Sequence, residues 1–311
     1  MARAFASPAV MPDLRLLLFI HTWYGLKLSA RDLEVLLAEA FDPGSLEGVA
    51  KAFLSEAARA YLSDNPDWLL RAHEIWRQGI ENGVNWCHLG DRNYPQKWHS
   101  LSQQPLLFTY RGDPAWCSRA LVAVVGSRTP RAETSLWMQR ELSRFLRRTG
   151  IGVVSGGARG VDQWSHRIAL DCDQPTVVIF PSGILNPYPS GSEGIWKDVL
   201  ARGGTLLSTF PLTAPMRKYC FSIRNRWIAG LGEFCFVAEA NRRSGSLLTA
   251  KLAHEEGRTV CTLPVFPLSE QGLANLDLIF DGGAQPIRDH LDLCALIAGL
   301  RPTSFERTES E

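Results

Sequence analysis

The run Leu121-Val122-Ala123-Val124-Val125-Gly126-Ser127-Arg128 is an unbroken apolar strand that stops at a glycine, a serine and an arginine. Apolar strands without alternation indicate a sheet that is covered on both faces, so this part of the chain is predicted to be a doubly wound, mostly parallel α/β domain. Five further apolar strands are predicted at Ile151–Val154, Thr176–Phe180, Thr205–Leu207, Phe234–Ala238 and Thr259–Leu263. Helices are predicted between them at roughly Glu133–Arg148, Asp162–Leu170, Ser192–Ala201, Ser222–Ala229 and Gly245–Glu256.

The first hundred residues have a different pattern. Leu14–Ile20, Arg31–Ala40 and Trp68–Gly79 carry apolar residues at the three- and four-residue spacings typical of helices. We therefore predict a small helical N-terminal domain over 1–87, an α/β core over 88–288 and a short C-terminal tail over 289–311. The 23 residues of that tail are too few for a further domain.

Composition places the chain among ordinary globular proteins. It has 311 residues, 33 Lys and Arg against 32 Asp and Glu, and a hydrophobic fraction of 45%. The apolar stretch Leu16–Ile20 is far shorter than the roughly 20 residues that span a bilayer, so we expect no membrane segment. The seven cysteines are scattered, with no CxxC pair, which is typical of reduced thiols. A cytoplasmic location is the resulting expectation.

Charge is distributed unevenly along the chain. Residues 128–159 contain seven basic and two acidic side chains, and residues 217–251 also contain seven and two, whereas residues 1–96 contain nine and twelve. If the fold brings the two basic segments together, they form a surface suited to a polyanion. The alternative is that these arginines lie singly on solvated helix faces.

Three loops, each at the end of a predicted strand, combine glycine with serine and arginine. They are Val125-Gly126-Ser127-Arg128, Ser155-Gly156-Gly157-Ala158-Arg159-Gly160-Val161-Asp162 and Ala240-Asn241-Arg242-Arg243-Ser244-Gly245-Ser246. Glycine permits close approach of an anion, free N–H groups at a helix start bind phosphate, and arginine adds a two-pronged donor. Each loop alone is equally explained as a sharp turn out of a strand, but three at corresponding places favour phosphate binding.

Several enzyme classes have no signature in this sequence. Neither G-x-x-x-x-G-K-[ST] nor G-x-G-x-x-G occurs, so nothing indicates ATP hydrolysis or nicotinamide chemistry. The seven histidines form no ligand cluster with the cysteines. We therefore assign no catalytic residue, no metal site and no cofactor.

The densest basic segment, residues 216–227, interleaves cations with aromatic side chains. Lysine and arginine suit phosphates, and an aromatic ring suits an unpaired base. Trp227 is expected to pack in the core, whereas Phe221, between Lys218 and Arg224, is predicted with equal weight to stack on a base or to pack.

These motifs, in this order, resemble the DprA/Smf family of DNA-processing proteins. The resemblance is carried by residues 122–128, by 155–162 with His166, by 203–208, by Phe221 with Arg224-Asn225-Arg226, and by 244–250. It covers about residues 88–288. The family fold implied is an extended Rossmann-like sheet. The function implied is binding of single-stranded DNA by a homodimer that delivers the strand to the RecA recombinase in natural transformation.

The resemblance also implies which residues bind the strand. Arg128 matches the family arginine that holds a phosphate, and Lys218 and Phe221 match a basic and aromatic pair that grips the strand. Together with the loops, the predicted DNA- and phosphate-binding residues are Gly126, Ser127, Arg128, Ser155, Gly156, Arg159, Lys218, Phe221, Arg224, Arg226, Arg243, Ser244, Gly245 and Ser246.

The chain also departs from the family pattern. Pro264 precedes Val265 rather than glycine, and the predicted tail leaves no room for a C-terminal winged helix. Two other functions stay open: a nucleotide sensor without catalysis, and a phosphoribohydrolase acting on nucleoside monophosphates. The hydrolase requires a carboxylate as acid or base, but Leu247-Leu248-Thr249 follow Gly245-Ser246.

Overall fold

A computed structural model describes residues 12–38, 54–264 and 270–299. The helices are α1 Leu14–Thr22, α2 Ala30–Leu37, α3 Glu56–Asp64, α4 Trp68–Glu81, α5 (Ala132–Trp137, a π-helical turn Met138–Leu142, and Ser143–Thr149), α6 Val161–Asp171, α7 Glu193–Ala201, α8 Lys218–Leu231, α9 Gly245–Glu255, α10 Glu270–Phe280 and α11 His290–Ala298. The strands are β1 Asn85–His88, β2 Leu107–Gly112, β3 Leu121–Val125, β4 Gly152–Ser155, β5 Thr176–Ile179, β6 Thr205–Ser208, β7 Gly232–Val237, β8 Thr259–Thr262 and β9 Gln285–Pro286.

All nine described strands form one sheet in the order β1-β2-β6-β5-β4-β3-β7-β8-β9. The strands from β6 to β9 along that order are parallel, while β1 and β2 are antiparallel additions at one edge. The chain runs outward from β3 to β6 and then returns to place β7 on the other side of β3. This reversal beside β3 is the position at which doubly wound sheets bind ligands, beyond the carboxyl ends of the strands.

Strand β3 shows why the sheet is covered on both faces. Leu121, Ala123 and Val125 pack into one cluster with residues of α8 and α9. Val122 and Val124 point the other way, into a cluster with α5 and α6. Both faces of the strand are therefore buried, as the unbroken apolar run predicted, and the predicted α/β class with a mostly parallel sheet is confirmed.

The N-terminal helices have a core of their own. It is built from the apolar faces of α1 and α2 with Ala58 and Leu62 of α3, and includes Leu107 of β2. The predicted N-terminal helix Arg31–Ala40 corresponds to α2, and residues 39 and 40 lie outside the described part of the chain.

Both predicted domain boundaries fall next to packed elements. Strand β1 crosses the boundary at 87 and pairs with β2 in the main sheet. Residues 290–298 of the predicted tail form α11, which buries Leu293 and Ile297 against α5. The division into domains itself stays a prediction. Among the helices described, none has the length and apolar character that spanning a bilayer requires.

Candidate functional site

A pocket of about 430 Å³ opens at the carboxyl ends of β3 and β7, where the strand order reverses. The predicted site residues that line it are Gly126, Ser127, Arg128, Phe221, Arg224, Arg243, Ser244, Gly245 and Ser246. The two basic segments of the sequence therefore do meet in the fold.

The loop after β3 is fixed by backbone contacts that leave its arginine free. The Ser127 N–H donates to the Glu239 carbonyl at 2.7 Å, and the Ser127 carbonyl accepts from the Val161 N–H at 3.1 Å. A Cβ at Gly126 would overlap the side chain of Val161, so glycine permits this approach of α6. Arg128 is exposed, and its side chain has no hydrogen bond or salt bridge to any described residue.

The loop after β7 presents a helix start to the same pocket. Ser244 is the N-cap of α9, but its side chain makes no capping bond, and its buried hydroxyl has no partner among the described residues. Ser246 donates to the Gly126 carbonyl at 2.9 Å and so ties this loop to the first one. The Ser244 hydroxyl, which has no hydrogen-bond partner among the described residues, and the partly positive N-terminus of α9 together favour a bound anion.

A buried pair of opposite charges forms the floor of the pocket. Arg224 is 4% exposed and Asp162 is 6% exposed, and each is the other's main electrostatic partner. Burial lowers the pKa of Arg224 to about 10, so the guanidinium stays charged at neutral pH. Burial raises the pKa of Asp162, and the positive charge of Arg224 opposes that rise.

Gly156 makes room for this pair. A Cβ at that position would overlap the Arg224 guanidinium, so the absence of a side chain lets Arg224 lie against the backbone after β4. The neighbouring His166 is held neutral, because burial and the Arg224 charge lower its pKa to about 3. Its Nδ1 lies 2.7 Å from the Thr176 hydroxyl.

Phe221 lies at the mouth of the pocket and is half-buried. Its ring meets the Tyr188 ring edge-on, with centroids 5.8 Å apart, and the Arg224 guanidinium carbon lies 5.7 Å from its centroid. Trp227 packs in the core, as the sequence predicted.

Five predicted site residues lie outside this pocket. Lys218 lines a depression beside it, and Gly156 lies beneath Arg224. The buried Ser155 hydroxyl donates to the Val124 carbonyl at 2.6 Å, and Arg159 is exposed on the loop before α6. Arg226 lies on the other side of α8, where it is paired with the nearly buried Glu256 and with Glu255.

Eight of the described residues that line the pocket were not predicted from the sequence as site residues: Val125, Thr129, Ala158, Asp162, Asn225, Ile228, Asn241 and Thr249. Helical spacing contains a signal for Asn225 and Ile228. Phe221, Asn225 and Ile228 recur at intervals of four and three and therefore share one face of α8. Asp162 stands in the first turn of α6, where a carboxylate is common for helix capping alone. Among the described residues, no three His, Cys, Asp or Glu side chains are arranged to hold a metal ion.

The fold and the pocket together define a Rossmann-like α/β protein with a cationic site at the switch point of its sheet. Residues 85–298 match the family model described as DNA recombination-mediator protein A. The chain belongs to that family, which also contains the DprA and Smf proteins. The resemblance noted in the sequence is thereby confirmed.

Relatives of this family share about a third of their residues with the chain. Protein Smf of Borreliella burgdorferi is 33% identical over 210 residues, which cover 67% of this chain and 65% of that protein. DNA processing protein DprA of Bacillus subtilis is 31% identical over 185 residues, which cover 59% and 62%. The chain thus spans somewhat less than two thirds of the length of these curated relatives.

Two solved structures share the fold. DprA of Streptococcus pneumoniae aligns with a TM-score of 0.71 at 25% identity, covering 92% of this chain and 98% of that one. DprA of Helicobacter pylori aligns with a TM-score of 0.61 at 26% identity, covering 69% and 96%, and its structure was described for a single-stranded DNA binding mode.

Proposed function

We propose that this chain binds single-stranded DNA in the pocket at the switch point and acts as a recombination mediator. One observation carries the proposal: the pocket combines exposed cations that have no partner among the described residues with a half-buried aromatic ring. Family membership and the single-stranded DNA binding mode described for the Helicobacter pylori protein support the same ligand.

The phosphates of the strand would be held by the two loops. Arg128 and Arg243 are exposed, line the pocket, and make no side-chain hydrogen bond or salt bridge to a described residue. Each can therefore present its guanidinium to phosphate oxygens without first breaking an ion pair. The free Ser244 hydroxyl and the first turn of α9 add neutral donors.

The base would stack on Phe221. The Tyr188 ring packs against it at a near right angle and the Arg224 guanidinium lies over it, so it is fixed in orientation before a ligand arrives. Stacking on a protein ring requires an unpaired base, which is why a single strand fits this site better than a duplex.

The hydrolase alternative depends on a carboxylate that reaches the sugar. Asp162 is the one carboxylate among the described residues that line the pocket. It accepts a hydrogen bond from the Ala158 N–H at 3.2 Å and interacts electrostatically with Arg224. These contacts fit a structural counter-charge better than a general base in contact with substrate. Delivery of the strand to RecA and a homodimeric state are parts of the proposal that rest on the family resemblance.

The test is a comparison of ligands of different size. Titrations with a labelled single-stranded oligonucleotide, its duplex and nucleoside monophosphates separate the open alternatives. We expect the single strand to bind most tightly and each monophosphate to remain intact. Tighter binding of a monophosphate would favour the nucleotide sensor, and release of free base would establish the hydrolase.

Phe221→Ala is expected to weaken single-strand binding by about five- to a hundredfold, the equivalent of about 1–3 kcal/mol of lost stacking. The salt dependence should not change, because no phosphate contact is lost. Phe221→Tyr keeps a ring and should bind like the parent. If Phe221→Ala unfolds at a lower temperature and its folded fraction binds normally, Phe221 is a packing residue.

A further inference from the structure

A second depression adjoins the pocket on the side of the α8 N-terminus. It has a volume of about 730 Å³ and lies between the first turns of α8 and α9. Phe221, Asn225 and Gly245 line both hollows, so the two adjoin each other. A strand that left the pocket past Phe221 would enter this depression next.

Two exposed apolar side chains form its walls. Tyr219 is 61% exposed and Leu248 is 36% exposed, and both line the depression. Tyr219 makes no hydrogen bond or ring contact with any described residue, so nothing within the described fold requires an aromatic ring there. A flat aromatic surface beside an aliphatic side chain suits the face of a nucleobase.

Cations border this apolar surface. Arg217 and Lys218 line the depression, both are exposed, and neither side chain is paired with a described residue. The described residues that line the depression include no carboxylate. α8 also begins here without a side-chain cap, so its first N–H groups add to the positive potential.

We propose that the depression formed by Tyr219, Leu248, Arg217 and Lys218 is a second base-stacking position. It holds the base of the nucleotide adjacent to the one on Phe221, and its cations contact the intervening phosphate. The chain thereby engages two successive nucleotides rather than one. This inference rests on the proposed binding of single-stranded DNA, and it assigns Tyr219 as the aromatic residue of the second position.

The experiment compares oligothymidylate with a strand of equal length in which every base is replaced by an abasic site. Both strands have the same phosphates, so their difference in affinity measures base contacts. Tyr219→Ala should weaken binding of oligothymidylate by about five- to a hundredfold and leave binding of the abasic strand unchanged. Tyr219→Phe should restore oligothymidylate binding, because it keeps the ring.

Tyr24→Ala is the matched control, since Tyr24 is 51% exposed on the N-terminal helical region and should leave both affinities unchanged. Thermal unfolding of each variant shows that the fold is retained. Equal affinity of Tyr219→Ala and the parent for oligothymidylate would overturn the second position, as would an equal loss on both strands. If the parent itself binds neither strand, the proposed function fails, which is a distinct result.

Discussion

At the scale of single residues, the interior of the site depends on the small size of Gly156. The Arg224 guanidinium occupies the space that a side chain at 156 would fill. This arrangement keeps the buried guanidinium of Arg224 near Asp162 at the floor of the pocket. A buried charge without a counter-charge would lower the stability of the fold.

Gly156→Ala is expected to displace Arg224 and to lower the free energy of unfolding by about 1–3 kcal/mol through overpacking. Affinity for single-stranded DNA should fall as well, since Arg224 lines the pocket. Gly194→Ala is the control, because a methyl there meets nothing within 4 Å. Denaturant unfolding and strand titration check both effects. Unchanged stability and affinity in Gly156→Ala would contradict this arrangement.

The arginines of α8 show what the sequence could and could not predict. Arg224 and Arg226 were both predicted to bind DNA from their place in one basic run, yet two residues apart they lie on different helix faces. Arg224 shares the pocket face with Phe221 and Ile228, and Arg226 faces Glu256. Helical spacing predicts that the two arginines lie on different faces. The pairing of Arg226 with Glu256, 30 residues later in the chain, is known only from the fold.

At the scale of elements, the parallel strands were predicted well because their signal is local. An unbroken apolar run ending in glycine identified β3, and the structure has it at the same residues. β1 was missed, since Asn85-Trp86-Cys87-His88 has no apolar run and becomes a strand by pairing with β2. α8 begins at Lys218, four residues before the predicted start, so Lys218 and Phe221 are helical.

His88 of β1 interacts electrostatically with the start of α1 and with the loop after β1. Its Nε2 lies 3.6 Å from Asp13, the N-cap of α1, and 3.5 Å from Asp91 in the loop after β1. Burial of the ring opposes its charged form, but the two carboxylates outweigh burial and raise the pKa of His88. The protonated imidazole therefore stabilises the junction between the N-terminal helices and the sheet.

The stability that His88 contributes is expected to depend on pH. A raised pKa in the folded state means that the contribution is complete below about 6.5, the usual histidine value, and is lost as pH rises through the folded pKa. The difference in unfolding free energy between the parent and His88→Gln should thus shrink from pH 6 to pH 8.5. A difference that grows with pH would mean that the His88 imidazole is neutral in the folded state.

At the scale of the whole molecule, an almost neutral chain concentrates positive charge at the carboxyl ends of two central strands, β3 and β7. The basic segments around Arg128 and Arg243 are more than 100 residues apart in sequence, and they meet because β7 returns to lie beside β3. The sequence predicted both segments and the sheet, but their meeting follows from strand order. An electrostatic site of this kind should release counterions when a strand binds.

The most direct test is the salt dependence of single-strand affinity for the parent and for Arg128→Ala. With a handful of phosphate contacts, the parent should show a slope of log K against log salt of roughly −2 to −4. Losing one contact in Arg128→Ala should weaken binding and make the slope shallower by about 0.7. Arg167→Ala, at an exposed position on α6 outside the pocket, should retain the parent slope. If Arg128→Ala keeps both the affinity and the slope of the parent, the strand binds elsewhere and the pocket is not the DNA site.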